Sequence, residues 1–302
     1  MPKYDIVLLT DSRFVVDCPP NQYADNVVLE DKLLFDAFEQ KGLKVYKTNW
    51  DNPEFDWTST KCVIIRTTWD IYDDGKFEQF QSWLERVKDQ THLINDYETI
   101  QWNIDKHYLQ DLDARGIKTP PTLFIPKGET KTLEELVSAS GWESPILKPA
   151  ISGGGRHTYK LDNNNLTEVA STFSELIKVE SMLLQEFQQN VVEKGELTLM
   201  VFDGKYSHAV LKKAKAGDFR VQDDFGGTVH DYEPSSEEIA FAERVVSVCD
   251  PVPLQARVDF IWDNEGDLCV SELELIEPEL WFRNKKGSAE ACVDGVVKRW
   301  FC

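Results

Sequence analysis

Apolar and polar positions along the first hundred residues fall into two alternating periods. Residues 4–10 (YDIVLLT) make a near-continuous apolar run, the pattern of a strand covered on both faces. Over 30–42 (EDKLLFDAFEQKG) the apolar positions take a helical spacing and stop at Gly42, which predicts a helix. A strand over 43–50, a strand over 61–69, a helix over 75–90 and a short strand over 92–96 follow. The order βαββαβ predicts a small parallel sheet, doubly wound in character.

From about residue 101 the texture changes. A helix over 103–116 stops at Gly116, and Pro120-Pro121 lead into a short strand at TLFIP. A helix over 131–141, strands at SPILKP (144–149) and HTYKL (157–161), and a helix over 165–178 complete an α+β stretch. The remainder, from MLLQEF at 182, is strand-rich. One hairpin turns at Asp203-Gly204, a helix covers 236–249, and a second hairpin over 255–275 turns at Asn264 to Gly266. The expected fold class is α/β (α+β), in three units: 1–102, 103–184 and 185–302.

Composition narrows the function. The chain has 302 residues, 41% of them hydrophobic, enough to fill two or three cores. No window approaches about 18 uninterrupted apolar residues, so no transmembrane helix is expected. The opening MPKYDIVLLTDSRF reads as a first strand and not as a signal peptide, and the expected compartment is the cytoplasm. Six cysteines (18, 62, 249, 269, 292, 302) contain no C-x-x-C pair, which removes a disulfide framework and a structural zinc site. A net charge of −20 argues against nucleic acid and anionic membranes as partners.

Two stretches carry candidate chemistry. In ILKPAISGGGRHTYKL (146–161) a lysine precedes three glycines and strand-type residues resume at once. A P-loop needs its lysine after the glycines, and a Rossmann turn must open a helix, so both are excluded. A flexible hairpin and a flap over phosphates stay open; in the second case Gly153, Gly154 and Gly155 present backbone N–H groups and Lys148 a point charge. In ARVDFIWDNEGDLCVSELELIEP (256–278), Arg257 and Asp259 share one strand face, as do Glu272 and Glu274 across the turn. Three acids brought together repel unless a cation joins them, and magnesium carried by nucleotide phosphates is the natural candidate. Arg257 is placed to offset charge on a transferring phosphoryl group. A solvated acidic hairpin face is the competing reading.

Taken in order, several motifs together resemble ATP-grasp enzymes of the glutathione synthetase and D-alanine ligase type. They are Asp105-Lys106-Tyr108-Leu109, Pro120-Pro121-Thr122, Lys148-Pro149 with Gly153–Gly155, Gln185-Glu186-Phe187 before Gly195-Glu196-Leu197-Thr198, and Arg257-x-Asp259 with Glu272-x-Glu274. The resemblance covers most of the chain and is weakest in the first hundred residues. It implies an ATP-grasp fold, with an N-terminal Rossmann-like sheet and two α+β units gripping ATP. Lys106 and Lys148 would contact the ATP phosphates, and residues 152–157, with Ser152, would form a flap. Gln185, Glu186 and Phe187 would meet adenine, and Glu193 or Glu196 would take the ribose. Asp259, Glu272 and Glu274 would hold magnesium, with two ions expected and manganese as a substitute. In many relatives an asparagine followed by a proline-glycine turn stands where this chain has Glu274 and Leu275 to Pro278, which leaves Glu277 as a reserve ligand or a structural acid. RTTWDIY, WNIDKHYL and SHAVLKKAKAGDFRVQ resemble one branch, which contains a D-cycloserine-forming ligase and unassigned homologues.

The activity so implied is an ATP-dependent, ADP-forming ligation of a carboxylate to an amine on a small amino acid or peptide, through an acyl phosphate. A small-molecule kinase and a non-catalytic nucleotide-binding regulator are the alternatives. Lys212, Lys213, Lys215 and Arg220 form a basic cluster in so acidic a chain. Lys212 and Arg220 are the catalytic candidates beside Arg257, with Ala214 to Phe219 expected as a mobile cap. Gly226 and Gly227 suit a close backbone approach to substrate. Arg66, at the end of the third strand, would hold a substrate carboxylate or form an interdomain salt bridge. The expected partners are small carboxylates and amines, and a homodimer is left open.

Overall fold

The computed structural model describes residues 2–15, 22–73, 75–215, 217–221 and 226–301. Cys18 and Cys302 lie outside them. The first sheet is built from β1 (Tyr4–Thr10), α1 (Gln22–Gln40), β2 (Val45–Asn49), β3 (Thr60–Thr67), α2 (Phe77–Val87) and β4 (His92–Ile94). All its pairings are parallel, in the order β2-β1-β3-β4. This is the sheet the alternating pattern predicts. α1 begins eight residues before the expected start at 30, because Glu30 and Asp31 point into the interior and interrupt the apolar spacing.

A short helix, α3 (Tyr97–Asn103), is capped by Asp96, whose side chain accepts from the Thr99 N–H. It leads to α4 (Tyr108–Ala114), to which the helix expected over 103–116 is confined. Between them the Lys106 N–H donates to the Ala150 carbonyl at 2.9 Å, which turns the chain toward the second sheet. That sheet combines β5 (Thr122–Ile125), β6 (Ile146–Pro149), β7 (Tyr159–Lys160) and β8 (Met182–Gln185) in the order β5-β8-β6-β7. Its helices are α5 (Leu133–Ser140), with a Thr132–Glu135 capping box and left-handed Gly141, and α6 (Leu166–Leu176). β8 ends one residue beyond the expected boundary at 184.

After the short α7 (Asn190–Glu193) comes the third sheet: β9 (Glu196–Phe202), β10 (Lys205–Lys213), β11 (Thr228–Asp231), β12 (Gln255–Trp262) and β13 (Leu268–Glu274), with α8 (Ser236–Ser247) before β12. It is antiparallel, in the order β11-β10-β9-β12-β13. α9 (Ser288–Trp300) was not anticipated from the pattern. Its Cys292, Val293 and Val296 share a core with Leu34 and Phe38 of α1 and with Met200 of β9.

Buried amides lock the first sheet to the third. Asn95 donates to the carbonyls of Gln255 and Leu275, each at 2.8 Å, and accepts from the Leu254 N–H at 2.6 Å. Asn103 donates to the Leu273 carbonyl and accepts from the Leu275 N–H, satisfying the outer edge of β13. Among the described residues, no helix is long and apolar enough to cross a membrane. Cys62, Cys249, Cys269 and Cys292 are buried free thiols.

Candidate active site

A cleft of about 780 Å³ lies where the three sheets meet. One wall comes from β6 and the loop after it: Lys148, Ser152, Gly153, Gly154 and Gly155 all line it. The loop is a turn between two short strands, with Gly154 and Gly155 at φ 57° and 69°, where a side chain is disfavoured. Gly153 packs on the Tyr72 ring so closely that a Cβ there would lie 2.5 Å from Tyr72 Cδ2. Lys106 Nζ donates to the Ser152 carbonyl at 2.7 Å and pairs with Glu272 at 3.2 Å, tying the loop to the acids opposite. HTYKL contributes only Tyr159 and Lys160 to a strand, since His157 lies in the turn at φ 49°.

The opposite wall is the β12–β13 hairpin. Asp259 faces Glu272 and Arg257 faces Glu274 directly across it. Carboxylate oxygens of Asp259, Glu272 and Glu274 lie within 4.8 Å of one another. Arg257 donates to Asp259 at 3.1 and 2.8 Å and also pairs with Glu274. Lys212 Nζ bridges Asp259 at 2.8 Å and Glu196 at 2.5 Å. Lys106, Lys148, Lys212 and Arg257 thus meet Glu196, Asp259, Glu272 and Glu274 in one place, a local balance within a strongly acidic chain.

Burial and these partners pull the groups in opposite directions. Burial disfavours charge on Asp259, yet Arg257 and Lys212 hold it down at about 2. Glu272 is likewise held below the usual range, where Lys106 and Lys148 outweigh burial. Glu274 is pushed up to about 8, by burial and by the neighbouring Glu272 and Asp259 charges. Burial lowers Lys148 to about 8 against the pull of Glu272. A cation brought among these acids would therefore relieve repulsion.

The end of β8 forms a third side, where Gln185, Glu186 and Phe187 line the cleft. The Glu186 N–H is taken by the Pro121 carbonyl at 2.9 Å, and Lys160 Nζ lies 3.5 Å from the Phe187 ring centroid. Glu196 lines the cleft and accepts from Ser271 at 2.7 Å, whereas Glu193 is exposed on α7 and does not. Arg220 also lines it, paired with Asp218 at 2.8 Å. Lys213 and Lys215 are exposed, and residue 216 of the expected cap lies outside the described residues.

Other expected residues do not come together here. Arg66 is fully buried behind the cleft; it donates to the Pro278 carbonyl at 3.1 Å and stacks on Phe282. Among the described residues it forms no salt bridge, and burial against residues 278–282 keeps it out of the cleft. Gly226 and Gly227 do not line the cleft, and the nearest side chain to Gly226 is Lys215. His208 is buried, and its Nε2 donates to the Leu280 and Trp281 carbonyls.

The cleft also contains residues that the sequence did not single out: Phe14, Tyr72 and Asp73 from the first sheet's loops, and Glu279 and Trp281 after β13. Tyr72 donates to Glu277 Oε1 at 2.9 Å, and Trp69 donates to the Glu277 carbonyl at 3.0 Å. Burial pushes Glu277 up to about 7 against the hydrogen bond from Tyr72. The available signal was the aromatic and acidic run EPELWF directly after the hairpin.

Fold, cleft and sequence together define the class: the chain has an ATP-grasp fold and is similar in sequence and structure to ATP-dependent ligases. It is 28% identical over 265 residues to the cycloserine biosynthesis protein DcsG of Streptomyces lavendulae, covering 82% of this chain and 86% of that protein. Residues 6–95 match the family defined as the N-terminal domain of D-cycloserine synthetase DcsG. The crystal structure of D-cycloserine synthetase DcsG covers 98% of this chain and 99% of its own, with a TM-score of 0.83 at 22% identity. D-alanyl-alanine synthetase A from Vibrio cholerae matches over 100% of both chains, with a TM-score of 0.71 at 16% identity. A RimK domain ATP-grasp protein from Sphaerobacter thermophilus covers 97% of this chain and 98% of its own, with a TM-score of 0.69 at 15% identity.

Proposed function

We propose that the protein joins the carboxylate of a small amino acid or peptide to an amine, using ATP and magnesium, by way of an acyl phosphate and with release of ADP and phosphate. The observation that carries this reading is the convergence of Asp259, Glu272 and Glu274 beside Arg257, facing Lys148 and a glycine-rich loop across one cleft. An all-carboxylate donor set with its oxygens within 4.8 Å fits a hard divalent ion. One or two magnesium ions, with manganese as a substitute, would be held there and would offset charge on the transferred phosphoryl group. The likeness to D-cycloserine synthetase and D-alanyl-alanine synthetase, and to the ligase PsnB solved with a precursor peptide, supports an amino acid or peptide substrate.

The chain's own residues divide the remaining work. Lys106 and Lys148 hold the phosphates from two sides, and the Gly153–Gly155 backbone closes over them. Gln185 to Phe187 border the base. Glu196 is the acid in reach of the ribose, and Glu193 is set aside by its exposure. Arg257 steadies the negative charge that develops as the carboxylate takes the phosphoryl group and as the amine then adds to the acyl carbon. Lys212 keeps Asp259 and Glu196 together, and Arg220, which lines the cleft, grips the intermediate. The three sheets support a division close to 1–102, 103–184 and 185–302.

The test is a screen of amino acids and amines for ADP release by the purified protein. Release that depends on a carboxylic acid, with an amide product, is expected. A stable phosphorylated alcohol and no amide would overturn ligation in favour of a kinase.

A further inference from the structure

After β13 the chain turns sharply at Leu280-Trp281. Trp281 has φ 44° and ψ 42°, a left-handed backbone that bulky side chains adopt rarely and at a steric cost. Buried groups on both sides hold it there. His208 Nε2 donates to the carbonyls of Leu280 at 2.8 Å and Trp281 at 3.1 Å. Glu30 of α1 accepts from the N–H groups of Phe282 at 2.8 Å and Arg283 at 3.0 Å. His208 is 4% exposed and Glu30 2%, so solvent competes for neither set of bonds.

The residue so held forms part of the cleft wall. The Arg257 guanidinium lies 5.3 Å from its ring centroid. Trp281 is 4% exposed, and its indole Nε1 is buried with no hydrogen-bond partner among the described residues. A buried indole N–H ordinarily finds an acceptor, because an unpaired donor loses its hydration without return. Glu277 Oε2, on the same wall, is an acceptor in the same condition. An unpaired donor on the ring beside Arg257 and an unpaired acceptor against Tyr72 in the same cleft match a ligand that brings both a carboxyl oxygen and an ammonium group.

Resting on the ligase reading above, we propose that Trp281 is a specificity-determining residue for the acid substrate: its indole N–H donates to a carboxyl oxygen of that substrate beside Arg257. His208 and Glu30 are positioning residues, which keep the backbone in the left-handed turn that aims the ring. The unpaired Glu277 oxygen selects amino acids, rather than simple acids, as probes.

Trp281→Phe keeps the ring against Arg257 and removes only the N–H. In full-length protein labelled with ¹⁵N at tryptophan, the indole resonance missing from this variant identifies Trp281. The probes are the standard amino acids and their D-isomers, each with magnesium and ADP. The acid that supports ADP release in the wild type should move that resonance, and its kcat/KM should fall about tenfold or more in Trp281→Phe with the KM for ATP little changed. His208→Ala should show the same split between the two substrates, and His208→Gln, which keeps a donor, should recover part of it. An indole resonance that no probe moves, or a Trp281→Phe enzyme that keeps its kcat/KM for the acid, overturns the assignment. Equal losses toward ATP and acid in the His208 variants overturn the positioning role. Absence of ADP release from the wild type with every probe overturns the ligase reading instead, and the resonance still decides Trp281.

Discussion

The two ends of the cleft are built in opposite ways. At the end proposed for the phosphates, Lys148, Gln185, Arg257, Asp259, Glu272 and Glu274 stand on β6, β8, β12 and β13, and cross-strand register sets their spacing. At the far end, Arg13, Trp69, Tyr72, Glu277 and Trp281 come from loops more than two hundred residues apart in sequence, joined by single hydrogen bonds such as Tyr72 to Glu277. Strands hold charges rigidly for a constant cosubstrate, whereas loops can vary with the molecule to be modified. The difference suggests that changes at the first end act on turnover as a whole, and changes at the second on the choice of acid.

The largest effect should come from the phosphate end. Glu272→Gln is expected to lower magnesium-dependent turnover by at least about 100-fold with the fold intact, checked by ADP release and by thermal unfolding. Full activity in that variant would remove Glu272 from the metal site. Next, Lys148→Ala should weaken ATP about 10- to 100-fold, the size of a lost charged hydrogen bond. Because burial sets the free Lys148 ammonium at about 8, it is charged below that pH and neutral above. Nucleotide affinity measured by calorimetry should therefore fall as pH rises through about 8, and Lys148→Arg should flatten the fall.

A smaller effect tests the join between the two ends. A Cβ at Gly153 would lie 2.5 Å from the Tyr72 ring, so Gly153→Ala should lower kcat by about tenfold by unseating the loop. Adding Tyr72→Leu should restore part of that loss if the clash is the cause, and an additive double variant would separate the two residues. Smallest of all, Glu193→Gln should leave the KM for ATP within about twofold, whereas Glu196→Gln should raise it clearly. Equal effects from the two would undo the distinction drawn from their exposure.

The same contrast explains what could be read from the chain alone. The parallel sheet, both hairpins and the acids at 259, 272 and 274 were legible because each rests on local periodicity or strand alternation. Tyr72 and Trp281 were not, since their significance depends on contacts between residues distant in the chain. Arg66 was misplaced for a related reason: strand alternation says which residues share a face, but not that residues 278–282 would cover one. Glu30 and Asp31 shortened the expected first helix because buried acids imitate a solvent face. α9 has a helical apolar spacing at Ala289, Cys292, Val293 and Val296, but its partner face on α1 lies about 250 residues earlier in the chain.

That last helix has a consequence for how the molecule is made. Leu34, Ala37 and Phe38 of α1 are sealed in part by Cys292, Val293 and Val296. During synthesis the first sheet therefore emerges with an oily helix face that stays open until residues 288–300 have left the ribosome. A nascent chain halted before residue 288 would present that face to chaperones, and one extended past residue 300 would withdraw it.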